Sequence, residues 1–209
     1  MIIEVLTEGA SDVPALREIL TRRFNLVEHE DFHIHPHRGK GNLPADPSER
    51  PIASRRGLLD QLPAKLRGFG RYMDESFLVL VVVDADDEIP EKLVENLEAM
   101  KAQLVRFPPR VAFLVAVEET ESWFIADLNA MNLAFPGHSF GSLQSIVPDS
   151  VVGAWEKIAD CFAKPHHDVT GANKYYWSEK ISPHLDLVEP KSPSLRRLIE
   201  VVEAAVSGG

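Results

Sequence analysis

Cysteine is nearly absent from this sequence, because Cys161 is the single thiol in 209 residues. One cysteine excludes an internal disulfide and predicts a cytoplasmic setting. Long apolar runs are also missing: the longest, Phe77–Val83, is much shorter than the ~18 residues that a membrane span needs. The chain opens with Met-Ile-Ile-Glu-Val-Leu, without a basic segment. We therefore predict neither a signal peptide nor a membrane partner.

A P-loop is missing as well, since the turn Arg38-Gly-Lys40-Gly does not have the P-loop pattern. The net charge of −10 argues against non-specific binding to nucleic acid. That charge is unevenly distributed, however. Residues 38–71 contain eight basic and three acidic side chains, whereas residues 74–127 contain thirteen acidic and four basic ones. This separation indicates one surface that meets phosphates and another that needs cations.

Apolar strand-like runs alternate with helical patterns over the first 128 residues. The predicted elements are strands at Ile2–Thr7, Phe32–His37, Phe77–Val83 and Arg110–Val117, and helices at about 12–24, 52–67, 90–105 and 121–127. Such alternation favours an α/β fold with a mainly parallel central sheet flanked by helices. We predict one domain over 1–209, with an α/β core at 1–128. Residues 129–209 are expected to form a helical and loop part that packs on the core and ends in a helix at 194–206.

Carboxylates follow three of the predicted strands. Glu8 comes after the first strand, Asp84 and Asp86 after the third, and Glu118 after the fourth. Ligands of open parallel sheets bind beyond the C-terminal ends of the strands, so these side chains should share one crevice. Oxygen ligands of this kind suit Mg²⁺ or Mn²⁺, and a metal relieves the repulsion between them.

Two further carboxylates can reach the same crevice. Asp12 lies one helical turn after Glu8, and Glu121 lies three residues after Glu118. Each could equally be a helix-capping residue with no role in binding. In Asp84-Ala-Asp86, the spacing of two predicts that both side chains lie on the same side of an extended chain.

These acidic segments carry a resemblance to Toprim domains, whose signature is a Glu after the first strand and an Asp-x-Asp after a later one. The segment Thr7-Glu8-Gly9-Ala-Ser-Asp12 is similar to the EGxxE opening of Toprim nucleases of the overcoming-lysogenization-defect type, with Asp in place of the second Glu. Asp84-Ala-Asp86 supplies the later motif.

Three later segments resemble a bacterial family of Toprim-like proteins of unknown function. One is the pattern E-x-W-x-x-A-D within Ala116–Asp127, and the others are Tyr176–Lys180 and Ser192–Arg196. The similarity extends over nearly the whole chain. It implies a Toprim/Rossmann-like fold with a Mg²⁺ site used for phosphodiester chemistry on nucleic acid.

The resemblance also implies roles for particular residues. Glu8 would be a general acid/base or a metal ligand, and Asp84 and Asp86 would be metal ligands. Asp12 with Glu118 or Glu121 would complete a second metal position, although the shorter Asp12 puts that second ion in question. A late lysine would stabilise the reacting phosphate, with Lys180 as the first choice and Lys191 as the second.

The function expected from this resemblance is a metal-dependent nuclease, or a nuclease-like effector of bacterial defence with an ATPase partner. The alternative is a non-catalytic module that holds Mg²⁺ and a nucleotide or phosphorylated ligand and acts through a partner. The sequence leaves open a homodimer and the choice between DNA and RNA.

Basic residues and histidines supply the remaining candidates. We predict nucleic-acid contacts at Arg38, Lys40, Arg55 and Arg56, which lie in the locally basic segment. His33, His35 and His37 alternate, so one strand face presents three imidazoles. Two interpretations stay open for them: a zinc site, or an exposed strand edge near phosphate.

Overall fold

The structure is a computed structural model, and it describes residues 1–86, 88–116, 120–150 and 152–207. Within these residues strands and helices alternate as far as the fourth strand, after which helices and turns follow. The elements are β1 (Ile2–Thr7), α1 (Val13–Phe24), β2 (Phe32–Pro36), α2 (Leu58–Phe69), β3 (Phe77–Asp84), α3 (Pro90–Ala102), β4 (Val111–Ala116), α4 (Glu121–Ala126), α5 (Leu128–Ala134), α6 (Ala154–Cys161), α7 (Gly171–Ile181) and α8 (Pro193–Ser207). Short 3₁₀ turns, including Ala10–Asp12 before α1, join some of them.

The four strands form one all-parallel sheet in the order β2-β1-β3-β4. In the register, Leu6 of β1 lies beside both His35 of β2 and Val81 of β3. The central strands are apolar on both faces because helices cover both sides of the sheet. This arrangement confirms the predicted α/β fold with a parallel central sheet, flanking helices and a helical C-terminal part, and it is consistent with a Toprim/Rossmann-like fold.

The sheet lies between two hydrophobic clusters, one on each of its faces. On one face, Val79, Val81 and Val83 pack with the apolar sides of α2 and α3. On the other face, Leu78, Leu80 and Val82 pack with α1 and with the helices that follow β4. The segment after residue 128 thus shares its core with the sheet. This packing supports the prediction of one domain over 1–209, which stays a prediction.

The ends of several elements differ from the sequence-based expectation. The helix expected at 52–67 begins only at Leu58, because residues before Gly57 belong to the loop and Ile52 is exposed. The helix expected to reach Val105 ends at Ala102, and Val105 is almost fully exposed. At both Ile52 and Val105, an apolar residue at helical spacing therefore lies in a solvent-exposed loop and not in a helix. No helix in the described ranges is long and apolar enough to cross a bilayer.

Candidate metal and phosphate site at the strand ends

Glu8 and Asp84 meet where β1 and β3 end side by side. Glu8 Oε1 accepts a hydrogen bond of 2.9 Å from the backbone N–H of Asp84. Burial raises the pKa of Glu8 to about 8, and the charges of Asp86 and Asp12 act in the same direction, although the Asp84 N–H and Lys40 oppose them. A buried carboxyl group with this pKa holds a proton at neutral pH and can exchange it, as a general acid or base must.

Asp86 lies in a turn and not in an extended strand. The strand ends at Asp84, and Asp86 has a φ of 50°, in the left-handed region. The prediction that the Asp84-Ala-Asp86 spacing places both carboxylates on one side of an extended chain is therefore wrong, because the alternation of strand side chains does not continue through this turn. The side chain of Asp86 is about half exposed and contacts Lys40.

Lys40 lies in the acidic crevice, with its side chain 14% exposed. Its Nζ donates to the carbonyl of Ala85 at 3.0 Å and to Asp86 Oδ2 at 3.1 Å, and it lies 2.8 Å from Glu88 Oε1. Burial works against the ammonium, but the hydrogen bonds and charges of Glu88 and Asp86 outweigh it and raise the pKa of Lys40. The residue that we predicted as a nucleic-acid contact therefore neutralises carboxylates in this structure.

Asp12 has a different environment from Glu8. It is 4% exposed and accepts three hydrogen bonds: from Thr7 Oγ1 at 2.6 Å, the Gly9 N–H at 3.0 Å and Thr120 Oγ1 at 2.9 Å. Burial raises its pKa even though these donors oppose the shift. Saturation of both carboxylate oxygens favours the capping and bracing role over the metal-ligand role.

Glu121 belongs to this braced region too. It is buried in the first turn of α4, with Oε2 3.5 Å from Thr120 Oγ1. Since Thr120 also binds Asp12, the two predicted members of a second metal position share one hydroxyl neighbour. Glu118, the other predicted member, lies outside the residues that the structure describes.

The late lysines are distributed along the second half of the chain. Lys180 is exposed near the end of α7, with its Nζ 5.7 Å from the ring centroid of Tyr176. Lys191 is exposed just before α8. Lys174, six residues before Lys180 on α7, is the lysine whose charge acts on Asp12, and its Nζ lies 4.8 Å from the Trp155 ring centroid. Sequence reasoning did not identify Lys174.

The other predicted nucleic-acid contacts lie on the surface of the long loop between β2 and α2. Arg38, Arg55 and Arg56 are all exposed, and the Arg38 N–H donates to the Arg56 carbonyl at 3.1 Å. Arg55 also lines a cavity of about 220 Å³ formed by this loop and α2. The loop thus brings the backbones of Arg38 and Arg56 together and leaves all three arginines exposed.

His33 and His35 lie on one face of β2, whereas His37 follows the end of the strand, so the strand face presents two of the three predicted imidazoles. Protein groups bind each of the three histidines. His33 Nδ1 lies 3.2 Å from Glu4 Oε1, and His35 Nε2 lies 2.5 Å from Glu4 Oε2. His37 Nδ1 lies 2.8 Å from the Thr7 carbonyl, to which it can donate. Glu4, on the neighbouring strand β1, was not identified from the sequence. The parallel pairing of β1 with β2 places Glu4 beside His33, so its carboxylate can pair with the imidazoles.

The donor chemistry of the crevice suits Mg²⁺, because Glu8, Asp84 and Asp86 offer oxygen ligands near the strand ends. An ammonium group already bound to Asp86 shows that this position accepts a cation. Among the described residues, however, no three His, Cys, Asp or Glu side chains are arranged as a ready metal-binding group.

Sequence reasoning missed two important features of the site: the residue Glu88, and the contact of Lys40 with the acidic side chains. The available signal was topological: β2 lies beside β1, so the loop that follows β2 begins at the same end of the sheet as Glu8. A lysine between two glycines at that point is well placed to reach the acidic strand ends.

Comparison with protein-family models, with curated proteins and with solved structures found no match to this chain.

Proposed function

We propose that this protein carries out Mg²⁺- or Mn²⁺-dependent phosphodiester chemistry on nucleic acid, as a nuclease or nuclease-like effector of the Toprim type. The observation that supports the proposal most strongly is the hydrogen bond from the Asp84 N–H to Glu8, because it fixes a titratable carboxyl group beside the acidic turn that follows β3. The fold supports it as well, since Glu8 directly follows β1 and Asp84 ends β3, at the C-terminal edge of the parallel sheet where ligands of such sheets bind. The proposal includes a cytoplasmic location.

In this mechanism Asp84 and Asp86 would hold the ion, which supplies charge stabilisation to the phosphate. Glu8 exchanges a proton with the attacking or leaving oxygen, a task for which its raised pKa is suited. The surface guanidinium groups of Arg38, Arg55 and Arg56 bind the flanking phosphates and position the strand. An ATPase partner belongs to the proposal as the source of regulation, because proteins of the family that the sequence resembles are often paired with one.

The test is nicking of supercoiled plasmid and cleavage of single-stranded DNA and RNA with Mg²⁺ or Mn²⁺. Glu8→Gln keeps the size of the side chain but removes the proton carrier, so we expect binding to persist and cleavage to fall by about 10²-fold or more. Asp84→Asn should lose both metal affinity and cleavage. Glu95→Gln, on the exposed surface of α3, is the matched control and should behave as the wild type.

Cleavage that survives both Glu8→Gln and Asp84→Asn would contradict the proposal. A second candidate is a non-catalytic module that holds Mg²⁺ and a nucleotide or phosphorylated ligand and acts through a partner. The position of Lys40 beside Asp86 and Glu88 favours this candidate, because an ammonium group next to the acidic side chains can pair with the phosphate of a bound ligand without cleaving it. Binding without turnover on every substrate, with the ATPase partner present, would select it.

A further inference from the structure

The turn that carries Lys40 is held in place on both sides. The Gly39 N–H donates to the Glu8 carbonyl at 2.9 Å, so the turn is fastened to the β1 strand end. The carbonyls of Gly39 and Lys40 accept the N–H groups of Leu58 and Leu59 at 2.8 and 2.7 Å, in the first turn of α2. Backbone groups that a helix start leaves unpaired are thus used to fix this loop.

The glycines on either side of Lys40 are required by this geometry. Gly39 and Gly41 have φ values of 85° and 68°, in the region that side chains disfavour. A Cβ atom on Gly41 would also lie 2.3 Å from Asp60 Oδ2. The Gly-Lys-Gly sequence therefore specifies a tight turn that aims one ammonium group at the carboxylates, and little further ordering is needed when the ion pairs form.

The oxygens around Lys40 Nζ are spaced for an ammonium group. Ala85 O, Asp86 Oδ2 and Glu88 Oε1 lie 2.8 to 3.1 Å from the nitrogen. Mg²⁺ binds oxygens at about 2.0–2.1 Å, and a divalent ion that shares Asp86 with an ammonium is repelled by it. One Asp86 carboxylate therefore cannot serve both cations with full strength. A cavity of about 480 Å³ beside Lys40, Asp86 and Glu88 gives access from solvent.

We propose that Lys40 is a tethered cation that occupies the acidic crevice and must leave Asp86 before a divalent metal binds there. This inference rests on the proposed metal site and adds its regulation: metal affinity is set by competition with the protein's own ammonium group. When the metal binds, Lys40 is released from Asp86 beside the ion, where a substrate phosphate can take over as its partner.

The first test measures Mn²⁺ binding by calorimetry in the full chain. Lys40→Met removes the competing charge and should raise Mn²⁺ affinity about tenfold. Lys40→Arg keeps the charge and should bind Mn²⁺ as weakly as the wild type. Lys92→Met is the matched control, because Lys92 pairs with Glu95 on the exposed surface of α3 and should leave the affinity unchanged. Equal affinity in Lys40→Met and the wild type would overturn the inference.

A second test needs no variant and so does not depend on whether Lys40→Met folds. Acetylation of the wild-type lysines by a small amine-reactive acyl donor, such as acetic anhydride with acetate as its leaving group, is followed by mass spectrometry with and without Mg²⁺. Release from Asp86 should increase the labelling rate of Lys40 several-fold, while Lys92 provides the internal reference. A Lys40 rate that is unchanged at saturating Mg²⁺ would overturn the inference.

The two tests separate this inference from the proposed function. If Asp84→Asn abolishes Mn²⁺ binding while the wild type and Lys40→Met bind equally, the metal site stands and the tethered-cation inference fails. If neither the wild type nor Lys40→Met binds Mn²⁺, both fail. Binding that appears only in Lys40→Met, and is lost again with Asp84→Asn, supports both.

Discussion

Two acidic regions lie one helical turn apart at the end of β1, and they differ in how their carboxylates are satisfied. Asp12 is buried and accepts from Thr7, Gly9 and Thr120, so both of its oxygens have donors. Burial raises the pKa of both groups, that of Glu8 to about 8, but the hydrogen bond that Glu8 accepts comes from the Asp84 N–H. A carboxylate whose oxygens are fully used by the protein braces the fold, whereas one that is buried with fewer donors is available for proton transfer.

The same contrast holds for the partners of the two regions. Thr120 and Glu121 close the Asp12 region from the side of α4, and both are buried. The Glu8 region instead faces Asp86 and Glu88, which are about half exposed, and a lysine from the distant loop between β2 and α2. The neighbouring acidic residues Glu8 and Asp12 thus belong to different regions: the Asp12 region is closed by buried side chains, whereas the Glu8 region is open to solvent-exposed charged side chains.

The largest change in the free energy of unfolding is expected from Glu8→Gln, which removes the titration of Glu8. Its folded-state pKa of about 8 lies above the ordinary value of 4.5, so the folded protein binds a proton that the unfolded chain releases between these pH values. The metal-free protein should therefore lose stability as the pH rises from 4.5 to 8. Glu8→Gln should abolish most of this slope and be more stable than the wild type at pH 8, by on the order of 3 kcal/mol.

Urea unfolding in the presence of a chelator, at pH values from 5 to 8, measures this slope. Glu95→Gln is the control, because its side chain is exposed and should leave the pH dependence unchanged. Asp12, whose pKa burial also raises, would account for a residual slope of the same sign. If the free energy of unfolding depends on pH equally in the wild type and in Glu8→Gln, Glu8 does not titrate in this range. The contrast between Glu8 and Asp12 would then fail.

The second largest effect is expected in the closed region. Asp12→Ala would leave the buried Thr7 hydroxyl and Gly9 N–H without their acceptor, and we expect a loss of about 2–3 kcal/mol in the free energy of unfolding. Asp12→Asn should lose less, because its amide oxygen can still accept from Thr7 and Gly9 while the Thr120 hydroxyl turns to accept. Denaturant unfolding at pH 7 tests this order, and equal stability of Asp12→Ala and the wild type would contradict the bracing role.

The fold was predictable because its main signals are local and strong. The apolar run Phe77–Val83 and the alternation of strands with helices define a parallel sheet, and parallel strands end at one edge. The approach of Glu8 to Asp84 follows from that topology. Short helices after residue 128 were only loosely predicted, because elements such as α5 and α6 are too short for a clear apolar periodicity.

The rest of the site depends on contacts between distant segments. The start of α2 at Leu58 is fixed by the carbonyls of Gly39 and Lys40, which lie almost twenty residues earlier, so helical spacing from Ile52 was misleading. The turn at Asp86 breaks the alternation that placed its side chain beside that of Asp84. The pairing of Lys40 with Asp86 and Glu88 required the path of a long loop, for which a sequence pattern gives no direct signal.

The smallest effect on stability is expected from Asp86→Asn, and it sharpens the contrast with Asp12. Asn also tolerates the left-handed φ at this position, so the turn is preserved. Asp86 is about half exposed, and Lys40 keeps Glu88 and the Ala85 carbonyl as partners, so the metal-free protein should change by less than about 1 kcal/mol. The rise in melting temperature with millimolar Mn²⁺ should nevertheless be lost, because a bound metal stabilises the folded state only through its ligands. Thermal unfolding with and without Mn²⁺ measures both quantities in one experiment, with Glu95→Gln as the surface control. A large loss of stability without metal would place Asp86 in the same structural class as Asp12, and an unchanged response to Mn²⁺ would remove it from the metal site.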